Sequence, residues 1–269
     1  MKKLINYSNE TIFTRLLNNK SNENYWNYID ELRKRKSKDI FEKCILLIKS
    51  EIIKERIIGI DVLAQFGYPR LHKNVILKEL FQLLKNETDK YAISSLFYAI
   101  GHNNENLTMK QIDLICSFKK HKSSRVRYSL AFALLTKEEP NAILTLIKLS
   151  NDRDFEIRDW ATFGIGTQIE IDTEEIRNAL WKRIKDKYEG VRFEAIIGLA
   201  KRKDERIKEI LKIELENIDE FGSLILEAIE EFNDKEFIPL IEKQISENKK
   251  LKKIEESWLT DTFEKLKLS

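Results

Sequence analysis

Residues 157–166 read IRDWATFGIG, and their order of residue types returns at a near-constant interval along the chain. Numbered from its first residue, this skeleton has apolar residues at positions 1, 5 and 9, and small residues at positions 8 and 10 in most copies. Position 1 falls, 31 to 34 residues apart, at Ile58, Ala92, Val126, Ile157, Val191 and Leu224. A period of this length indicates a repeat protein in which each copy is one pair of helices.

The composition of the chain also favours helices. Its 269 residues include only 8 glycines and 3 prolines, so the residues that interrupt helices are scarce. An amphipathic segment precedes each copy of the skeleton, and Tyr25 and Trp258 extend the period outward. These segments cover roughly residues 9–19, 39–49, 71–85, 108–120, 139–149, 173–185, 204–216 and 236–247. We expect Asp39, Asp172 or Thr173, and Asp204 to be N-caps of three of these helices.

We therefore predict an all-α fold, an α–α superhelix in which about eight helix pairs form one solenoid. A single pair cannot bury its wide apolar side, and stacking the pairs next to one another covers it. The prediction is a single repeat domain over residues 1–269. The repeats within 120–201 match the skeleton best, whereas residues 1–38 and 236–269 are degraded units that cap the two ends.

Several classes of protein are disfavoured by the residue counts. The net charge of +3, from 48 basic and 45 acidic residues, is too balanced to imply a polyanionic partner. The N-terminus has no signal peptide and the longest apolar run is about residues 44–48, so we expect a cytoplasmic protein without a membrane segment. Cys44 and Cys116 lie in apolar stripes, which favours core packing in a reducing compartment. The three histidines are isolated from other ligand residues, and no pattern calls for a metal or another cofactor.

The skeleton resembles the short HEAT-like repeats found in bacteria. Their hallmark is an acidic residue shortly before an apolar–Arg pair, followed by Ala and Leu–Gly at helical spacing. Residues 126–127, 157–158 and 191–192 carry the apolar–Arg pair, and Asp154 and Asp186 precede two of them. Gly59, Ile93 and Ile225 replace the arginine in other repeats, so a continuous ladder of acid–arginine pairs cannot run the full length. The resemblance implies a right-handed helical superhelix used mainly for protein–protein contact.

The candidate site comes from the positions of the skeleton that helical geometry turns away from the core. Positions 3 and 7 should face the concave surface, yet they are apolar or aromatic in the central repeats. A contiguous exposed stripe of this kind marks an interaction surface. The predicted partner-binding residues are Tyr98, Tyr128, Phe132, Asp159, Trp160, Phe163, Phe193, Glu194 and Ile197. The alternative is that a tightly wound superhelix buries positions 3 and 7 between adjacent helices.

The favoured function is a non-catalytic scaffold that binds a protein or peptide on its concave face, with Asp159 and Glu194 selecting basic or amide groups. One alternative is an immunity protein that neutralises a bacterial toxin. A second alternative is a HEAT-like alkylpurine DNA glycosylase, because Asp159 is a carboxylate flanked by aromatic residues. Positions 3, 7 and 10 of the first five repeats carry no Lys or Arg for phosphates, so nucleic acid is the less favoured partner. Arg158 and Arg192 are expected to pair with acids between repeats.

Overall fold

A computed structural model describes residues 4–219 and 222–268, which form sixteen α-helices and no strand. The helices are α1 (Asn9–Leu17), α2 (Asn22–Arg35), α3 (Lys38–Leu47), α4 (Ile53–Ala64), α5 (Lys73–Leu84), α6 (Lys90–Gly101), α7 (Met109–Cys116), α8 (Ser124–Ala133), α9 (Pro140–Leu149), α10 (Phe155–Gly166), α11 (Glu174–Trp181), α12 (Glu189–Lys201), α13 (Lys208–Glu216), α14 (Gly222–Phe232), α15 (Ile238–Leu251) and α16 (Glu256–Leu268). Residues 1–3 and 269, at the outer ends of the two predicted capping units, lie outside the described part of the chain.

The helices fall into two compact units, Met1–Leu135 and Thr136–Ser269, called here the N-terminal and C-terminal units. Each unit holds four helix pairs, and in each the second helix of a pair packs on the second helix of the next. These second helices are α2, α4, α6 and α8 in the N-terminal unit, and α10, α12, α14 and α16 in the C-terminal unit. Sequential stacking of this kind is that of an α-solenoid, so the predicted all-α fold of eight helix pairs is confirmed. The single domain over residues 1–269 stays a prediction.

First and second helices differ in how much of their surface is buried. The first helix α11 is amphipathic and buries Ile176, Ala179 and Leu180 along one side. The second helix α12 has neighbours on both sides, so it buries Val191, Phe193 and all of residues 195–200. An α-helix enclosed in this way is apolar around most of its circumference.

Small residues and one buried arginine bring α10 and α12 close together. A Cβ atom on Gly198 would lie 2.6 Å from the Cα atom of Gly166, so position 198 requires glycine, whereas a Cβ atom on Gly166 would meet the Glu194 carbonyl oxygen at 3.0 Å. The Arg202 guanidinium donates to the carbonyl oxygens of Gly166 at 2.6 Å and Ile165 at 2.8 Å. These carbonyls end α10 and have no partner within the helix. Arg202 therefore joins the end of one repeat to the next.

Ion pairs also link successive repeats. Arg158 donates from two nitrogens to the Asp186 carboxylate, with both distances at 2.8 Å. The corresponding pair in the N-terminal unit is Arg56 with Glu87, at 2.7 and 3.1 Å. The expected pairing of Arg158 is therefore confirmed. The Nε atom of Arg192 on α12 lies 3.7 Å from the Glu214 carboxylate on α13, in the next repeat.

The helix caps agree only in part with the predicted ones. Thr173 caps α11, as expected, by accepting a hydrogen bond from the Ile176 amide. The prediction of Asp39 is wrong, because Ser37 occupies the N-cap position of α3 and Asp39 lies in its first turn. Asp204 caps a short 3₁₀ helix, residues 205–207, that precedes α13. Its carboxylate also accepts a hydrogen bond from the Trp181 indole at 3.0 Å.

The remaining sequence-based features are placed as follows. Cys44 and Cys116 are both fully buried, as expected for core residues. Within the described ranges, no helix is long and apolar enough to cross a bilayer. The same residues include no cluster of three or more His, Cys, Asp or Glu that could hold a metal ion.

Candidate functional site

The second helices of the N-terminal unit enclose an open groove of about 660 Å³, which we call the N-terminal groove. Its walls come from α2, α4, α6 and the start of α8. The lining residues are Asn22, Tyr25, Trp26, Arg33, Ile57, Asp61, Ala64, Gln65, Tyr91, Ser94, Ser95, Tyr98, His102 and Arg125. A cavity of this size can hold a ligand or the side chains of a bound protein segment.

A buried carboxyl group forms the floor of the groove. Asp61 is only 8% exposed, and the Tyr25 hydroxyl donates to its Oδ2 atom at 2.6 Å. Ser95 forms a second hydrogen bond with the same carboxyl group. Burial raises the pKa of Asp61 above its ordinary value, while the bonds from Tyr25 and Ser95 and the charge of Arg33 act in the opposite direction. The floor is therefore a hydrogen-bonded acid whose neutral form is favoured by its surroundings.

One arginine of the groove is fully engaged within the fold. The Nε and NH2 atoms of Arg33 donate to the main-chain carbonyl oxygen of Asp61, at 3.0 and 2.6 Å. Its NH1 atom pairs with Asp30 at 3.3 Å. Arg33 thus fixes α2 against α4, and each of its three nitrogens has a partner.

A histidine and a glutamine close the far end of the groove. The Gln65 Nε2 and His102 Nε2 atoms are 2.7 Å apart, and Arg70 donates to the His102 carbonyl oxygen at 2.6 Å. Burial, followed by the charges of Arg70 and Arg33, lowers the pKa of His102 to about 4. His102 is therefore neutral at physiological pH, and its ring packs edge-on against Phe132.

The mouth of the groove is aromatic and basic. Trp26 and Tyr91 are 49% and 48% exposed, so both rings present apolar surface to solvent. The guanidinium carbon of Arg125 lies 5.1 Å from the centre of the Tyr91 ring, within the range of a cation–π contact. Among the described residues, Arg125 has no ion-pair partner.

The second helices of the C-terminal unit carry acids instead. Asp159 on α10, Glu194 on α12 and Glu227 on α14 occupy nearby repeats, and this set is called here the acidic cluster. Burial, followed by the charges of Asp159 and Glu227, raises the pKa of Glu194 to about 7. Burial also raises the pKa of Asp159. The Oδ1 atom of Asp159 and the Oε2 atom of Glu194 are buried without a hydrogen bond from any described residue.

The predicted stripe is divided between the two units. Tyr98, Tyr128 and Phe132 belong to the N-terminal unit, and the other six predicted site residues belong to the C-terminal unit. Tyr98 lines the N-terminal groove. The Phe132 ring packs against the Tyr98 ring, with ring centres 5.4 Å apart. Phe132 also fills the space next to Gly101.

In the C-terminal unit, four of the predicted residues reach solvent and two do not. Asp159, Trp160, Phe163 and Glu194 are partly exposed, and the rings of Trp160 and Phe163 meet edge-on at 5.9 Å. Phe193 and Ile197 are each only 2% exposed, so the expectation that they face solvent is wrong. They lie on α12 between α10 and α14, where positions 3 and 7 are covered by the neighbouring second helices. The role of these residues in partner binding stays a prediction.

Sequence reasoning missed several residues of the N-terminal groove. Ile57, Tyr91 and Arg125 each precede position 1 of the skeleton by one residue, and Asp61 and Ser95 are at position 4. Position 7, which was predicted, contributes Ala64 and Tyr98. The residue before position 1 and positions 4 and 7 are spaced at i, i+4 and i+7, which is itself one face of a helix. That spacing is the signal that could have identified the groove.

The fold and the groove together define an all-helical repeat protein with a groove on the second helices of its N-terminal unit. The chain is 37% identical over 121 residues to protein YibA of Escherichia coli K12, and equally to YibA of strain O157:H7. That alignment covers 45% of this chain and 42% of YibA, so it spans less than half the length of these curated relatives. The crystal structure of Escherichia coli YibA superposes with a TM-score of 0.71 and 26% identity, over 98% of this chain and 93% of that one. No protein-family model matches the sequence, so membership of the HEAT-like family stays a prediction.

Proposed function

We propose that this chain is a non-catalytic scaffold whose second helices bind a segment of a partner protein. The observation that supports the proposal is the N-terminal groove, where Trp26 and Tyr91 present half-exposed rings within a concave surface. Aromatic side chains at the centre of a concave surface are the usual source of binding energy in protein interfaces. Stacked helix pairs offer an extended surface for such contact.

The polar groups of the groove support binding more than a reaction. Asp61 accepts a hydrogen bond from Tyr25, and Gln65 contacts His102, so these groups stabilise the walls. A general base has to reach the proton it removes, and a carboxyl group already held by two hydroxyls on the floor is poorly placed for this. The aromatic rings, in contrast, face the open side.

Protein capture from the native cell tests the proposal. The immobilised wild-type chain should retain one or more proteins that a Trp26→Ala/Tyr91→Ala variant releases, because truncating two central rings removes most of the anchoring surface. The matched control is Val75→Ala/Met109→Ala, which alters two similarly exposed apolar residues on the first helices α5 and α7. Circular dichroism should show the same thermal transition for all three proteins. Identical sets of captured proteins on all three baits would contradict the proposal.

A further inference from the structure

Among the described residues that line the N-terminal groove, Arg125 is the arginine whose side chain is available to meet a ligand. Of the two arginines that line it, Arg33 has each guanidinium nitrogen bound to Asp61 or Asp30. Arg125 makes no ion pair in the described part of the chain, and its side chain rests on the Tyr91 ring. Arg125 lines the groove, and its guanidinium N–H donors make no hydrogen bond to a described residue, so they can donate to a ligand.

No exposed anion of the groove competes for Arg125. Asp61 is the one carboxyl group among the lining residues, and it lies on the floor with its hydrogen bonds from Tyr25 and Ser95. Lys90 adds positive charge at the same place, since its ammonium nitrogen lies 5.0 Å from the Tyr91 ring. The mouth of the groove therefore attracts negative charge.

The number of available cations distinguishes a carboxylate from a nucleic-acid backbone. Proteins that bind nucleic acids neutralise several successive phosphates with Lys or Arg. In the described part of the chain, the groove offers the unpaired guanidinium of Arg125 with Lys90 beside it, and Trp26 and Tyr91 are its apolar walls. A planar guanidinium pairs with one carboxylate through two parallel hydrogen bonds, and this geometry suits an Asp, a Glu or a chain terminus.

We infer that the N-terminal groove selects an acidic peptide segment in which a carboxylate lies next to an aromatic side chain. The carboxylate pairs with Arg125, and the aromatic ring enters the groove against Trp26 and Tyr91. This inference rests on the proposed function, because it names the chemistry of the segment that the scaffold binds. It also assigns Arg125 as the residue that determines specificity.

A selection from a library of short random peptides displayed on phage tests the inference. On the wild-type chain, we expect enrichment of peptides that carry Asp, Glu or a free C-terminal carboxylate within a few residues of Trp, Tyr or Phe. Arg125→Glu should bind these peptides about tenfold or more weakly, as expected when a charge-assisted hydrogen bond is lost. The same variant should enrich peptides with Lys or Arg beside the aromatic residue. Arg125 is exposed, so its replacement should leave the thermal transition unchanged.

One control variant and the outcomes below separate the inference from the proposed function. Lys110→Glu reverses a charge on the exposed surface of α7 and should bind the selected peptides like the wild type. If the enriched peptides lack an acidic residue, or bind Arg125→Glu unchanged, the inference is wrong although the scaffold function stands. If no peptide is enriched on any bait, both are contradicted. Tighter binding of fluorescein-labelled single-stranded RNA than of the acidic peptides would also overturn the inference.

Discussion

The two units satisfy the acids of their second helices in different ways. In the N-terminal unit, Asp61 is buried but receives hydrogen bonds from Tyr25 and Ser95. In the C-terminal unit, Asp159 and Glu194 each keep one buried oxygen without a hydrogen bond from any described residue. An unsatisfied buried acceptor costs free energy that a hydrogen-bonded one does not. The hydrogen bonds to Asp61 therefore stabilise the N-terminal unit. The buried oxygens of Asp159 and Glu194 instead cost the C-terminal unit folding free energy, which a cationic group bound there would recover.

This contrast parallels the charge of the two surfaces. The N-terminal groove has Arg125 at its mouth, and the acidic cluster lies on α10, α12 and α14. The same helical repeat thus presents opposite charges in its two halves. If the chain is the scaffold proposed above, we expect an acidic segment to bind the first surface and a basic segment the second, since charge complementarity determines which partner each surface accepts.

The largest expected effect concerns a feature that the two units share. Arg158→Ala breaks the two-nitrogen ion pair with Asp186, whose side chain is 5% exposed and keeps its pair with Arg183 at 3.2 Å, and should lower the free energy of unfolding by about 2 to 3 kcal/mol. Arg56→Ala should have a comparable effect through Glu87, whose side chain is 3% exposed. Urea denaturation followed by circular dichroism measures both values. A loss below about 1 kcal/mol for either variant would show that its pair is effectively solvated.

The next largest effect separates the units by how tightly their helices approach. Gly198→Ala would place its Cβ atom 2.6 Å from the backbone of Gly166, which cannot move aside, so we expect a loss of about 2 kcal/mol. Gly101→Ala would meet the Ala133 Cα atom at the milder distance of 3.1 Å and the ring of Phe132 at 2.7 Å. This ring is partly exposed and can rotate, so the expected loss is below about 1 kcal/mol. Equal losses in thermal or urea denaturation would mean that α6 and α8 pack as rigidly as α10 and α12.

The repeat architecture could be predicted because the evidence for it recurs in the sequence. Each copy of the skeleton repeats its apolar positions, and the described helices follow the predicted order of eight pairs. The rotation of each second helix about its axis could not be predicted from one copy. That rotation depends on contacts such as Gly166 with Gly198, which set how neighbouring helices cross. It buries Phe193 at position 3 and places Arg125, just before position 1, at the mouth of a groove.

A smaller effect should follow from removing the hydrogen bond at the floor of the N-terminal groove. Tyr25→Phe deletes the hydroxyl that donates to Asp61 at 2.6 Å, so the Oδ2 atom of Asp61 loses this hydrogen bond. We expect the free energy of unfolding to fall by about 1 kcal/mol, since the acceptor remains buried. The control is Tyr28→Phe on the same helix, which has no hydroxyl bond to Asp61. A loss of equal size in both variants would show that the bond to Asp61 adds nothing specific.

The smallest expected effect has the opposite sign and tests the acidic cluster. Burial and the charges of Asp159 and Glu227 raise the pKa of Glu194 to about 7 in the folded chain. In the unfolded chain the same group titrates near its ordinary value, so between about pH 4.5 and pH 7 the folded state holds more protons. Stability should therefore fall as the pH rises through this window. Glu194→Gln removes this dependence and should raise the free energy of unfolding at pH 8 by about 1 kcal/mol, after allowance for solvent screening.

Urea denaturation at several pH values between 4.5 and 8 measures this effect, with Glu216→Gln as the control. Glu216 is an exposed acid at the end of α13, and its replacement should leave the pH dependence unchanged. If Glu194→Gln is as stable as the wild type at pH 8, the buried oxygen of Glu194 costs nothing and the two units do not differ in the way proposed. If the variant is more stable there, the C-terminal unit keeps an acid at a cost in folding free energy. A surface residue that lowers folding stability in this way is expected where it serves binding. A cationic group of a partner that contacts Glu194 would offset the free-energy cost of its buried carboxylate.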